Sequence, residues 1–124
     1  MIEPIISPDS PAPAGAYSQA IRAGDFVYIS GQVPRASGGT YAPLDIERET
    51  RLTLQNLAAV ATAAGGTLRD VVKVGAYLAS WDHLTGFNTA FDEYFDGCPP
   101  ARTTVVAGLR EVKVELDAVL YIPR

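Results

Sequence analysis

Residues 99–122 read PPARTTVVAGLREVKVELDAVLYI, and the alternation of apolar and polar side chains in this stretch decides the fold. It predicts two strands, Ala101–Ala107 and Val112–Ile122, because successive side chains of a strand point to opposite faces of a sheet. One face of the second strand is apolar, and the other carries Glu115 between two further charged residues. This pattern indicates a sheet that is packed on one side.

Turn residues and apolar periodicity divide the preceding chain into five more elements. They are the strands Tyr17–Ala23, Phe26–Val33 and Val71–Leu78 and the helices Ile46–Ala64 and Asp82–Phe95. Gly24-Asp25 predicts a hairpin between the first two strands. Asp45 is the expected start of the first helix and Gly65-Gly66 its stop. Pro4 to Pro13 form an extended lead-in segment. The order ββαβαββ predicts a single α+β domain over residues 1–124.

Two helices cover only one face of such a mixed sheet, so the other face is left for solvent or a partner. Tyr28, Val119 and Tyr121 are expected on that second face. An exposed patch of large apolar side chains favours association. We therefore expect a homo-oligomer.

The charge balance disfavours nucleic acid and membrane as partners. The formal net charge is −4, and the closest basic pair, Arg48 with Arg51, is offset by Glu47 and Glu49. Proteins that bind nucleic acids usually present a basic face to the phosphates. No apolar run approaches the roughly 20 residues that span a bilayer, and residues 1–13 do not have the pattern of a signal peptide. A cytoplasmic location is expected.

Metal and cofactor motifs are missing from the sequence. One cysteine, Cys98, excludes an intrachain disulfide, and one histidine, His83, excludes a multi-histidine zinc site within one chain. There is no Gly-rich phosphate loop, dinucleotide fingerprint or nucleophile elbow. We expect the protein to use no cofactor and no metal.

Arg102 and Glu115 are the candidate functional residues that the strand pattern singles out. Arg102 and Thr104 share one face of their strand, and Glu115 lies on the next strand along the chain. If these strands are neighbours, the guanidinium and the carboxylate can face each other. The pattern is compatible with a structural salt bridge, which contributes about 0–1 kcal/mol when exposed, or with a functional site.

The sequence resembles the RidA/YjgF family of reactive-intermediate deaminases along nearly its whole length. The matching stretches are GAYSQA (15–20), ISGQVP (29–34), QNLAAVATAAGGTLRDVVKVGAYL (55–78), FNTAFDEYF (87–95), PPARTTV (99–105) and VKVELDAV (112–119). Each stretch is weak alone, but the set is specific because it keeps the order and nearly the spacing of the family.

The resemblance implies a fold like that of the small trimeric chorismate mutases. Three chains would pack their sheets into a central barrel, with active-site clefts between neighbouring subunits. Active members hydrolyse 2-aminoacrylate and its imine tautomer to 2-keto acids and ammonia. These reactive substrates arise from serine, threonine and cysteine through PLP-dependent dehydratases, which are therefore the implied functional partners.

The resemblance also implies roles for individual residues. Arg102 matches the arginine that holds the substrate carboxylate, and Glu115 matches the family's late-strand glutamate. The remaining implied pocket residues are Tyr17, Ser30, Gly31, Asn88 and Thr104. The sequence departs from the family where Ala16 replaces a proline, where Thr104 replaces a frequent cysteine, and in a shorter turn at 109–112.

These residue types suit imine hydrolysis. An arginine binds a carboxylate through two parallel hydrogen bonds, and a glutamate can position the attacking water or act as its base. We therefore predict an enamine/imine deaminase acting on small 2-imino carboxylates. Three alternatives remain: a deaminase of a larger, aminomuconate-type enamine, a non-catalytic trimer that binds small 2-keto carboxylates, and a ribonuclease, which the acidic chain disfavours.

Overall fold

The computed structural model describes residues 2–124, which form one six-stranded sheet and two α-helices. The elements are β1 Ile2–Ile5, β2 Ala20–Ala23, β3 Phe26–Gln32, α1 Ile46–Ala63, β4 Val71–Leu78, α2 Leu84–Tyr94, β5 Ala101–Val106 and β6 Val114–Tyr121. Short 3-10 turns at 68–70 and 81–83 precede β4 and α2. The predicted α+β class is confirmed, with both helices packed on the same side of the sheet.

The strand order is β1-β2-β3-β6-β4-β5, which places β6 in the middle of the sheet. Strand β6 runs antiparallel to both of its neighbours, β3 and β4. Strand β5 runs parallel to β4 at the sheet edge, because α2 returns the chain to the end of the sheet at which β4 began. The last strand in the sequence therefore joins two halves that make no strand pairing with each other.

This order overturns one prediction about the candidate residues. Strand β4 lies between β5 and β6, so Arg102 and Glu115 do not face each other from neighbouring strands. Arg102 is level with Val74, which is fully buried on the side of the helices. Glu115 alternates with the buried Val114 and Leu116 and so points to the opposite side. The structure shows no salt bridge between Arg102 and Glu115.

The N-terminal segment contains a strand that the sequence pattern did not predict. Strand β1 pairs antiparallel with β2 from Ile2↔Ala23 to Ile5↔Ala20, and Pro4 is accommodated because β1 is an edge strand. Strand β2 is correspondingly shorter than predicted. Tyr17 lies before it, outside the ladder.

The caps of α1 lie where the sequence placed them. Asp45 Oδ1 accepts a hydrogen bond of 2.9 Å from the Arg48 amide at the start of the helix. At the end Gly65 has a φ of +89°, and the Gly66 amide donates to the Ala61 carbonyl at 2.9 Å. This left-handed glycine ends the helix and turns the chain toward β4.

The two faces of the sheet differ sharply in burial. On the helix-covered face, the following large side chains are at most 2% exposed: Leu54, Leu57, Phe87, Phe91, Leu116 and Leu120. On the other face, which we call the open face, Phe26, Tyr28 and Tyr121 are 41–49% exposed. The predicted outward positions of Tyr28 and Tyr121 are confirmed, and Val119 is half-buried beside them.

Candidate functional site

Arg102 lies on the helix-covered face of the edge strand β5, where two phenylalanines of α2 support it. Its guanidinium carbon is 5.1 Å from the ring centre of Phe87 and 4.8 Å from that of Phe91. Its Nη2 donates a 2.8 Å hydrogen bond to Asn88 Oδ1. Guanidinium groups stack well on aromatic faces, so these contacts fix the plane of the fork.

The charge of Arg102 is not neutralised within the described part of the chain, residues 2–124, where Arg102 forms no ion pair. Partial burial lowers the pKa of its guanidinium, and Asp92 opposes that effect. A guanidinium has five N–H donors, and only one donates within the described residues. The others remain for an acceptor such as a carboxylate.

Thr104 shares the helix-covered face of β5 with Arg102 and is half-buried. The structure therefore groups three of the sequence-predicted residues, Arg102, Asn88 and Thr104, which we call the arginine cluster. The strand alternation places Arg102 and Thr104, and the helix α2 brings Asn88 to the guanidinium.

Glu115 lies on the open face, directly over Gly31 of β3. A Cβ atom at Gly31 would come within 2.2 Å of Glu115 Oε2, so any larger residue there would displace this carboxylate from its position. Burial raises the pKa of Glu115, and the charge of Asp117 raises it further. The side chain lines a cleft of about 180 Å³ together with Val33 and the turn at 108–112.

Ser30 and Tyr17 complete a second group with Gly31 and Glu115, which we call the glutamate cluster. The Ser30 hydroxyl donates a 2.6 Å hydrogen bond to the Ser18 carbonyl, so its oxygen stays available as an acceptor. Tyr17 is 52% exposed and shares a narrow cleft with Gly31. The β-bulge between Ile29 and Gln32 brings Ser30 and Gly31 to this position.

The two clusters are separated within one chain. They lie on opposite faces of the sheet, and β4 runs between the strands that carry Arg102 and Glu115.

Gln19 is a structural residue of the site that the sequence reasoning did not single out by itself. Its buried amide accepts from the Ser7 amide at 2.7 Å and donates to the Ser7 carbonyl, Ser10 Oγ and the Pro11 carbonyl at 3.0–3.1 Å. These bonds hold the N-terminal segment against the chain that carries Tyr17. Its place in the GAYSQA stretch was the available signal.

Glu49 was missed altogether, because a glutamate in the first turn of a helix is usually solvated. It is fully buried and accepts from Tyr41 Oη at 2.7 Å, the Leu44 amide at 3.1 Å, and Lys113 N and Nζ at 2.9 and 3.3 Å. Burial alone would raise the pKa of Glu49, but these hydrogen bonds outweigh it and hold the pKa below its usual value. The carboxylate thereby fixes the chain two residues before Glu115.

Two other functional classes receive no structural support in residues 2–124. No group of three or more His, Cys, Asp or Glu side chains there is placed to hold a metal ion. None of the helices formed by these residues combines the length and the apolar character required to cross a bilayer. Cys98 is an exposed free thiol.

Comparison with known proteins gives consistent matches over the whole chain. The family described as Endoribonuclease L-PSP matches residues 7–122. A RutC family protein from Pyrococcus horikoshii is 40% identical over 124 residues, with 98% of each chain covered. A protein from Dermatophagoides farinae named 2-iminobutanoate/2-iminopropanoate deaminase is 35% identical over 123 residues, which is 95% of this chain and 94% of that one. The crystal structure of RidA from the Antarctic bacterium Psychrobacter sp. superposes with a TM-score of 0.91 at 34% identity, over 97% of this chain and 99% of the other.

Proposed function

This chain belongs to the Endoribonuclease L-PSP family, also called the YjgF/RidA family, and from that premise we propose that it hydrolyses small enamine and imine carboxylates to 2-keto acids and ammonia. Its relative from Dermatophagoides farinae is named for this reaction. The ribonuclease in the family description has less support here, because the chain is acidic and has one histidine.

The arginine cluster is the observation that carries the proposal. A guanidinium held flat by Phe87 and Phe91, bonded to Asn88 and free of any acidic partner in residues 2–124, is a preorganised receptor for a planar carboxylate. Substrate carboxylate bound here would have its C=N carbon held in place for attack by water.

The glutamate cluster supplies the proton chemistry in this proposal. Water adds to the C=N carbon and gives a carbinolamine, and Glu115 takes the proton that water loses. The amine nitrogen then gains a proton and the C–N bond breaks with its electron pair moving to nitrogen. Ammonia leaves, and the carbinolamine hydroxyl gives up its proton as the C=O group forms. Burial of Glu115 supports this role, because a raised pKa brings a carboxyl closer to the pH at which it exchanges protons efficiently.

Assembly into a homotrimer is the second part of the proposal. Since the clusters lie on opposite faces of one chain, Arg102 and Glu115 act on one substrate only if they come from different subunits. The exposed aromatic side chains of the open face and the free edge of β5 support such packing. We propose that the protein acts in the cytoplasm on substrates that PLP-dependent dehydratases would generate.

The alternative of a larger enamine substrate is favoured by one observation. The cleft beside Glu115 has a volume of about 180 Å³ and follows the turn at 108–112. That space is available for a substituent longer than the methyl or ethyl group of a serine- or threonine-derived imine.

The first test is keto-acid release from an enamine that a serine or threonine dehydratase generates in the same tube. Arg102→Ala is expected to lower the rate on the order of 100-fold, because a bidentate charge-assisted pair is lost. Arg102→Lys should restore the rate only in part. The matched control is Arg48→Ala, an exposed arginine at the start of α1. A folded Arg102→Ala protein that matches wild type would remove Arg102 from the proposed site.

The second test asks whether the site is shared between subunits. Arg102→Ala and Glu115→Gln proteins, each inactive alone, are unfolded together and refolded as a mixture. In a cyclic trimer with one cluster from each neighbour, roughly one quarter of the sites would receive both intact clusters. Recovery of activity near that fraction supports the shared site. If the mixture stays as inactive as its components, each site lies within one subunit or the residues are misassigned.

A further inference from the structure

A second carboxylate, Asp117, lies two residues after Glu115 on the same open face of β6. Side chains at positions i and i+2 of a strand point the same way and are about 7 Å apart at their base. The two carboxylates are thus neighbours, but they differ in the hydrogen-bond donors that surround them.

Asp117 is held by two donors of β4. The Gly75 amide donates to Oδ1 at 3.1 Å, and the Tyr77 hydroxyl donates to Oδ2 at 2.9 Å. A Cβ atom at Gly75 would come within 2.3 Å of Asp117 Oδ1, so the glycine lets the carboxylate lie close against β4. The two donors hold Asp117 in place.

Glu115 has no such support. It is half-buried over Gly31, and no donor of residues 2–124 is hydrogen-bonded to it. The basic side chains nearby form salt bridges with other residues. Lys113 Nζ is paired with Glu49, and Arg35 is paired with Glu111. Arg110 lines the same cleft but is exposed.

Tyr77 sits directly across from Glu115 on β4. Its hydroxyl is committed to Asp117, and that hydrogen bond raises the pKa of Tyr77. The phenol therefore stays neutral. The nearest charge that Glu115 experiences without compensation is that of Asp117.

We infer that Asp117 is a positioning residue that keeps Glu115 protonated at the start of carbinolamine breakdown, and that Tyr77 holds the Asp117 carboxylate in place. Resting on the proposed deaminase function, this inference makes Glu115 the acid in that step. Its proton moves to the amine nitrogen, the C–N bond breaks with its electron pair going to nitrogen, and the carbinolamine O–H returns a proton to Glu115. Paired groups whose environments separate their proton affinities commonly divide the acid and base roles in this way.

The test is the titration of the Glu115 side-chain carboxyl, followed by carbon NMR in the folded protein, together with the pH–rate profile. Asp117→Asn keeps the shape and removes the charge, so the pKa of Glu115 and the alkaline limb of the profile should both fall by about one pH unit. Tyr77→Phe removes one donor but leaves Asp117 charged and less shielded, so the same pKa should stay or rise. The control is Asp82→Asn, at an exposed position on the 3-10 turn before α2.

A fall of the Glu115 pKa in Asp117→Asn without a fall in Tyr77→Phe supports the inference, because a general loosening of the strand would shift both in the same direction. An unchanged Glu115 titration in folded Asp117→Asn, or equal shifts in both variants, would overturn it. If the Asn variant does not fold, Asp117→Ser replaces it with the same expectation. The NMR titration needs no turnover, so an inactive wild type would refute the proposed function while this measurement still decides the electrostatic role.

Discussion

Glu49 and Glu115 are two glutamates of one chain whose surroundings have opposite effects. Glu49 lies under the start of α1, fully buried, with hydrogen bonds from Tyr41, Leu44 and Lys113, and its pKa is lowered. Glu115 lies half-buried on the open face, receives no hydrogen bond from residues 2–124, and its pKa is raised. The surroundings of Glu49 satisfy its carboxylate internally, whereas those of Glu115 provide no donor within the described part of the chain. The first arrangement stabilises the fold, and the second keeps a group available for chemistry.

The largest effect on stability is expected from a cavity in the core beneath the two helices. Leu57→Ala removes a fully buried side chain of α1 and should lower the free energy of unfolding by about 2–5 kcal/mol. Urea denaturation measures this loss, with Gln55→Ala on the exposed side of the same helix as the control. Equal losses in both variants would mean that α1 is not anchored by this face.

Glu49→Gln should come next, at about 1.5–3 kcal/mol, because four donors lose a charged acceptor. The pH dependence has a definite sign. Since the folded pKa of Glu49 lies below its unfolded value of about 4.3, its contribution is present above that pH and is lost as pH falls through the folded pKa.

Urea midpoints measured from about pH 6 to about pH 3 should therefore fall less steeply in Glu49→Gln than in wild type. Glu47→Gln, a half-exposed glutamate in the same turn, is the control and should follow wild type. A wild-type slope in Glu49→Gln would show that this carboxylate is not the one that titrates with folding.

On the open face, Tyr28→Ser should change the stability of the single chain by less than about 1 kcal/mol, since the side chain is 49% exposed. It should nevertheless weaken the proposed trimer, because that side chain would be buried between subunits. Sedimentation velocity over a range of concentrations measures the change. Trp81→Ser, which removes an aromatic that is 56% exposed near α2, is the control. Unchanged assembly in Tyr28→Ser would exclude this part of the open face from the interface.

The smallest effect on stability is expected for ion pairs that are exposed to solvent. Arg51 links α1 to α2 through two 3.1 Å hydrogen bonds to Glu93 and also approaches Glu47 at 3.3 Å. Arg51→Met should cost about 0.2–1 kcal/mol at low salt, and the difference should largely vanish near 1 M salt. A loss of unfolding free energy as large as that of Glu49→Gln would contradict the expectation that buried, hydrogen-bonded charges contribute more to stability than exposed ones.

Sequence periodicity predicted the helices, most strand limits and the outward aromatic residues, because each depends on neighbours within a few positions. The neighbour of β5 was left open, because alternation within a strand carries no information about which strand lies beside it. Strand β1 was missed since Pro4 is unusual in a strand away from a sheet edge.

The same distinction applies to the candidate site. Arg102 and Asn88 contact each other, as do Gly31 and Glu115, and the family resemblance had grouped all four. The separation of the two pairs onto opposite faces emerges only from the topology. Glu49 escaped notice because two of its four donors belong to Lys113, which lies 64 residues away in the sequence.

The central position of β6 has a consequence for synthesis on the ribosome. Strands β1 to β3 and strands β4 and β5 each pair among themselves, but both sets are joined only through β6. A nascent chain emerges from the ribosome N-terminus first, at about 5–20 residues per second. The sheet therefore lacks its central strand until residues 114–121 have emerged. Until then, the edges of β3 and β4 are open to foreign strands. Chaperone binding, measured on stalled chains, should therefore persist until β6 emerges and then drop abruptly.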